Sequence, residues 1–95
     1  TTVLPRFGKA RVLVADDSAV NREVACEALS RLGVAAETVN DGREAYEAVI
    51  ARPYDLVLMA GSMPDLDGFE ATRLIRAHEA ETGRAPTPVV ALTAH

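Results

Sequence analysis

The chain has 95 residues, of which 48% are hydrophobic and 25% charged, with a net charge of −4. Such a composition suits one small globular domain and excludes disorder. The acidic balance, with no run of Lys or Arg to offset it, argues against nucleic acid or an anionic membrane as a direct partner.

Residues 1–10 carry no apolar leader core and read as a linker or an expression remnant, with the domain spanning 11–95. A nearly all-apolar run, Arg11 to Ala15, predicts a strand buried on both faces of a parallel sheet. It delivers Asp16 and Asp17 to the strand's C-terminal end. Beyond Ser18, Val20, Val24, Ala28 and Leu32 recur every fourth residue, flanked by Ala25 and Leu29, which predicts a helix. Arg22, Glu23, Glu27 and Arg31 fall on its wet side, and Gly33 supplies the left-handed stop. Cys26, the only cysteine, lies on this helix and reads as a structural thiol.

Val34 to Val39 predicts a second, less apolar strand suited to a sheet edge, followed by a turn at Asn40-Asp-Gly42. Asp41 with Glu44, and later Asp67 with Glu70, carry the three-residue spacing of a helix cap. They open helices from Arg43 to Ala51 and along Ala71, Leu74 and Ile75. Between these helices, Asp55 to Met59 predicts a third strand that delivers Ala60 to its end. Glu79 to Pro88 reads as polar and turn-rich, and Pro88 to Thr93 as a fourth strand. No stretch approaches the roughly 20 apolar residues of a membrane span, so the default location is cytoplasmic.

Strands alternating with helices imply an α/β fold with a parallel sheet, whose ligands bind beyond the strands' carboxyl ends. That rule gathers Asp16, Asp17, Ala60 and Thr93 at one rim. Adjacent carboxylates repel unless a cation joins them, and a hard ion such as Mg²⁺ accepts oxygen ligands while keeping waters. A third strand-end oxygen ligand and the backbone carbonyl of Ser62 would complete such a site.

Val12-Leu-Val-Ala-Asp-Asp-Ser18, Asn40-Asp-Gly-Arg-Glu-Ala45, Tyr54-Asp-Leu-Val-Leu-Met59, Met63-Pro-Asp-Leu-Asp-Gly68 and Pro88-Val-Val-Ala-Leu-Thr-Ala94 together resemble the receiver domain of two-component response regulators and hybrid histidine kinases. The resemblance implies a flavodoxin-like, doubly wound parallel sheet, truncated here after the fourth strand. It implies Mg²⁺ on Asp16, Asp17 and the Ser62 carbonyl, Thr93 as the switch hydroxyl and Ala94 as its small neighbour. A histidine kinase or phosphotransfer domain is the implied partner, and the source is expected to be a hybrid sensor kinase.

Two departures follow from the same resemblance. Ala60 stands at the phosphoacceptor position, and a methyl group can neither attack a phosphohistidine nor ligate a metal. The family's later lysine-bearing strand and last helix have no counterpart before His95, leaving the first helix and the fourth strand partly uncovered. That exposure predicts self-association. As written the chain is therefore expected to catalyse nothing, with a weakened Mg²⁺ site.

Ala60 fits a deliberate substitution or a natural pseudo-receiver kept as a binding or dimerisation module. The persistence of Asp16, Asp17 and Thr93 favours the former. A Mg²⁺-dependent phosphohydrolase is the enzymatic alternative, disfavoured because its second aspartate belongs two residues after the first. No Gly-x-Gly-x-x-Gly or Gly-x-x-x-x-Gly-Lys loop supports nucleotide binding. Asp65 and Asp67 are expected to point away from the rim, and His78 to be a solvated surface residue.

Overall fold

The computed structural model describes residues 10–92. Strands β1 (Val12–Ala15), β2 (Glu37–Val39), β3 (Leu56–Ala60) and β4 (Val89–Leu92) alternate with helices α1 (Ala19–Ser30), α2 (Gly42–Ala51) and α3 (Gly68–Thr82). All strand pairs are parallel and lie in the order β2-β1-β3-β4. The chain therefore reverses direction across the sheet at β1, which separates the helices onto two faces.

Period-two alternation divides the sheet's side chains. Leu13, Ala15, Val57 and Met59 face α2 and α3 and join Ala45, Val49, Ala71 and Ile75 in one dry core. Val12 and Val14 belong to the opposite face, where Leu56 and Leu58 are half-buried and Val90 is half exposed. The α2–α3 side is thus closed, whereas the α1 side is open.

Each helix starts on a side-chain cap. The Ser18 hydroxyl accepts from the Asn21 N–H at 3.2 Å, and Asp41 and Asp67 accept from the Glu44 and Glu70 N–H groups at 2.8 Å each. Glu44 also accepts from the Asn40 N–H at 2.8 Å, one residue before the cap. Gly33 takes the expected left-handed backbone, with φ of 81°. Cys26 is half-buried on α1.

Four expectations need correction. The second strand is only Glu37–Val39, as Val34 to Ala36 find no ladder partner among the described residues. Arg22, expected on the wet side of α1, is half-buried with Ala25, Cys26 and Leu29, while the stripe is uncovered in line with the expectation of a partly uncovered first helix, Val20 being 68% and Val24 63% exposed. Leu74 is exposed, leaving Ala71 and Ile75 as the buried face of α3.

The fourth correction concerns Glu79 to Pro88. Here α3 continues to Thr82, and Glu79 is buried at 4% exposure. Its carboxylate accepts from the Thr87 N–H at 2.7 Å and from Arg76 Nη1 at 2.8 Å. Burial pushes this carboxyl up, but its bonds with Thr87 and Arg76 outweigh that and hold it below the ordinary range. A charged side chain in a polar stretch is thus the anchor that brings the chain from α3 into β4.

Candidate functional site

The C-terminal ends of β1, β3 and β4 open onto a cavity of about 570 Å³ whose lining includes Asp16, Asp17, Asn21, Ala60, Ser62 and Leu92. The structure therefore brings four of the five expected site residues together. The fifth, Thr93, lies outside the described residues, as does Ala94. Leu92 pairs with Ala60 across the β3–β4 ladder and is the last described residue before Thr93.

Asp16 is held on three sides. Its N–H donates to the Val39 carbonyl at 3.3 Å, extending the β1–β2 ladder by one residue. Its carbonyl accepts from Arg22 Nη1 at 2.7 Å, and its Oδ1 accepts from the Ser18 N–H at 2.9 Å. The residue is only 5% exposed, whereas Asp17 beside it is exposed. One carboxylate is buried and fixed by the backbone, and the other faces solvent. Sequence periodicity placed Arg22 on the wet side of α1. Only its reach back to the Asp16 carbonyl reveals it as part of the rim's frame.

Ala60 closes β3 at 7% exposure, presenting a buried methyl to the cavity. The turn into α3 then passes so close that a Cβ on Gly68 would lie 2.0 Å from the Ala60 carbonyl oxygen. The Gly68 N–H donates to the Gly61 carbonyl at 2.9 Å, closing the base of the loop that carries exposed Ser62 and buried Met63.

The remaining acids of this loop turn away, as expected. Asp65 pairs with Arg43 Nε at 2.7 Å, and the guanidinium is raised by that hydrogen bond and charge. Asp67 caps α3. His78 is half-buried on α3, with its carbonyl accepting from the Thr82 hydroxyl at 2.8 Å.

Asp16, Asp17 and Ser62 line one cavity, and their carboxylates and backbone carbonyl are oxygen groups. Such hard oxygen donors suit a divalent cation that retains several waters. Among the described residues there is no group of three or more His, Cys, Asp or Glu side chains able to hold a metal ion. Ala60 lines the same cavity and adds no oxygen side chain to it.

The family model for the response regulator receiver domain matches residues 12–95. The sensor protein GacS of Pseudomonas syringae pv. syringae is 44% identical over 85 residues, covering 90% of this chain and 9% of that protein. The receiver domain of the histidine kinase CKI1 from Arabidopsis thaliana, complexed with Mg²⁺ and BeF₃⁻, superposes with a TM-score of 0.85 at 36% identity. That match covers 90% of this chain and 66% of the other.

A Saccharomyces cerevisiae histidine phosphotransfer signaling protein in co-crystal with the receiver domain of its downstream response regulator gives a TM-score of 0.86 at 28% identity. It covers 96% of this chain and 68% of the matched one. The chain thus spans less than a tenth of the sensor protein and about two thirds of these solved chains.

Proposed function

This chain belongs to the response regulator receiver domain family of two-component phosphorelays, and we propose that it is a receiver unable to take up a phosphoryl group. The observation that carries this reading is Ala60. It ends β3 on the cavity shared with Asp16 and Asp17, where the resemblance calls for the acceptor carboxylate. Phosphoryl transfer from a phosphohistidine needs an oxygen nucleophile at that point, and a methyl group has none. Asp65 and Asp67 do not substitute, because one is paired with Arg43 and the other caps α3.

Within this reading Asp16, Asp17 and the Ser62 carbonyl hold Mg²⁺, whose role is to neutralise charge at the rim. Asp16 serves as the fixed acid and Asp17 as the exposed ligand. Thr93 is the switch hydroxyl. The partner is a histidine kinase or a phosphotransfer domain, an assignment supported by the phosphotransfer protein bound to a similar receiver. Any catalysis of the parent protein belongs to another domain, consistent with sensor kinases among the relatives. A cytoplasmic location follows from that role; among the described residues no helix is long and apolar enough to cross a membrane.

The test is phosphotransfer from a promiscuous histidine kinase to the chain and to Ala60→Asp, with Mg²⁺ affinity measured by calorimetry on both. The expected result is no label on the chain, label on Ala60→Asp, and tighter Mg²⁺ binding after the substitution. Label on the chain itself overturns the proposal. Mg²⁺ affinity unchanged by Asp17→Ala overturns the metal assignment.

A further inference from the structure

The loop that carries Ser62 touches the start of α2 through contacts that the phosphoryl chemistry does not require. A Cβ on Gly42, the first residue of α2, would lie 1.8 Å from the Leu66 carbonyl oxygen and 2.6 Å from its carbonyl carbon. Backbone rests on backbone there. One residue on, Arg43 Nε donates to Asp65 Oδ2 at 2.7 Å. Asp65 itself has φ of 67°, the left-handed region that a non-glycine residue holds only where its surroundings over-determine it.

The Leu66 N–H donates to the Pro64 carbonyl at 2.8 Å, tightening the loop tip around Asp65. At the base the Gly68 N–H is bonded to the Gly61 carbonyl. Ser62 and Met63 thus lie between a closed base and a pinned tip, with Met63 buried as a plug.

We propose that the start of α2 is a positioning element for the rim, with Gly42 and Arg43 setting, through Leu66 and Asp65, where the Ser62 carbonyl faces the cation. This rests on the Mg²⁺ reading above and adds a second element to the site. Asp16 is fixed from β1 and α1, and the loop carrying Ser62 is pinned from α2. The two contacts differ in kind. The Gly42 contact is steric and independent of salt. The Arg43–Asp65 pair is about half exposed on both sides, so it is weak and screened.

The test follows the backbone amide signals of Asp17 and Ser62 by NMR during Mg²⁺ titration of the chain and its variants. Gly42→Ala should displace the Ser62 signal, leave Asp17 in place and weaken Mg²⁺ binding about tenfold, the loss typical of an outer-shell support. Arg43→Ala should move Ser62 in the same direction and weaken binding about threefold, with the difference fading in high salt. Asp65→Gly, which holds the left-handed backbone without a pin, should recover the Arg43→Ala loss.

Should Gly42→Ala fail to fold, the Arg43→Ala and Asp65→Gly pair decides alone. A Ser62 signal unmoved in Arg43→Ala, or one that moves without any change in affinity, overturns the positioning role. Asp17→Ala does not touch these contacts. If it leaves Mg²⁺ binding unchanged, the metal reading fails instead, and the positioning role falls with it.

Discussion

Replacing Glu79 with alanine tests whether one buried carboxylate joins α3 to β4. Glu79 is 4% exposed, and its two oxygens are divided between Arg76 and the Thr87 N–H. Thr87 is itself 6% exposed, so truncation leaves a buried N–H with no acceptor. That loss, with the charge-assisted bond removed, amounts to about 2–4 kcal/mol. A domain of this size has a total stability of about 5–15 kcal/mol. The urea midpoint should therefore fall by about 1–3 M when unfolding is followed by circular dichroism.

Arg76→Ala removes the more exposed partner of the same carboxylate and should cost about 1 kcal/mol or less. The pH dependence carries a definite sign. The folded carboxyl lies below its ordinary value of 4.5, so its contribution is complete above that pH and is lost as pH falls through the folded value. Glu79→Gln should flatten that part of the acid limb. A Glu79→Ala loss under about 0.5 kcal/mol, the range of an ordinary surface site, would refute the anchoring role.

Three further outcomes check other parts of the structure. Gly68→Ala drives a Cβ to 2.0 Å from the Ala60 carbonyl oxygen. It should cost about 2–3 kcal/mol and lower Tm by about 10–20 °C in a thermal melt. Tyr54, buried and donating to Glu37 Oε1 at 2.6 Å, has its phenol pushed up to about 12 by burial and then by that bond. In a Tyr46→Phe background the remaining phenolate absorbance should rise only near that pH and earlier in Glu37→Gln, and stability should decline as pH climbs from 10 through 12. Exposed Val20 and Val24 on α1 and Leu32 just after it, with Val90 on β4, are expected to drive weak dimerisation. Sedimentation should show concentration-dependent association that Val24→Asp abolishes, and a strict monomer over a wide range would sink that reading.

Local chemistry made several features legible before any fold was known. Asp41 and Asp67 announce helix starts because a short carboxylate three residues before Glu44 and Glu70 satisfies N–H groups within its own turn. The apolar runs at Val12–Ala15 and Leu56–Ala60 announce parallel strands, and their ends place Asp16, Asp17 and Ala60 on one rim. These are short-range signals, readable from neighbours in the chain. The lack of a reactive oxygen on Ala60 was equally legible, since it is a matter of residue type.

Helix orientation was not legible in the same way. A four-residue spacing identifies Val20, Val24, Ala28 and Leu32 as one stripe, yet periodicity cannot say which side of the helix the sheet takes. The fold turned Arg22, Ala25 and Leu29 inward and left the stripe in solvent. Glu79 and Arg22 escaped for a related reason. A charged side chain is read as wet unless its partner is known, and their partners, the Thr87 N–H and the Asp16 carbonyl, are backbone groups with no residue signature.

The packing of Gly42 under Leu66 is likewise a meeting of a helix start and a loop brought together only by the completed sheet. Sequence alone determined which elements form and which chemical groups the rim carries or lacks. Tertiary structure decided which faces are buried and which backbone atoms hold those groups in place, because these depend on contacts between segments far apart in the chain.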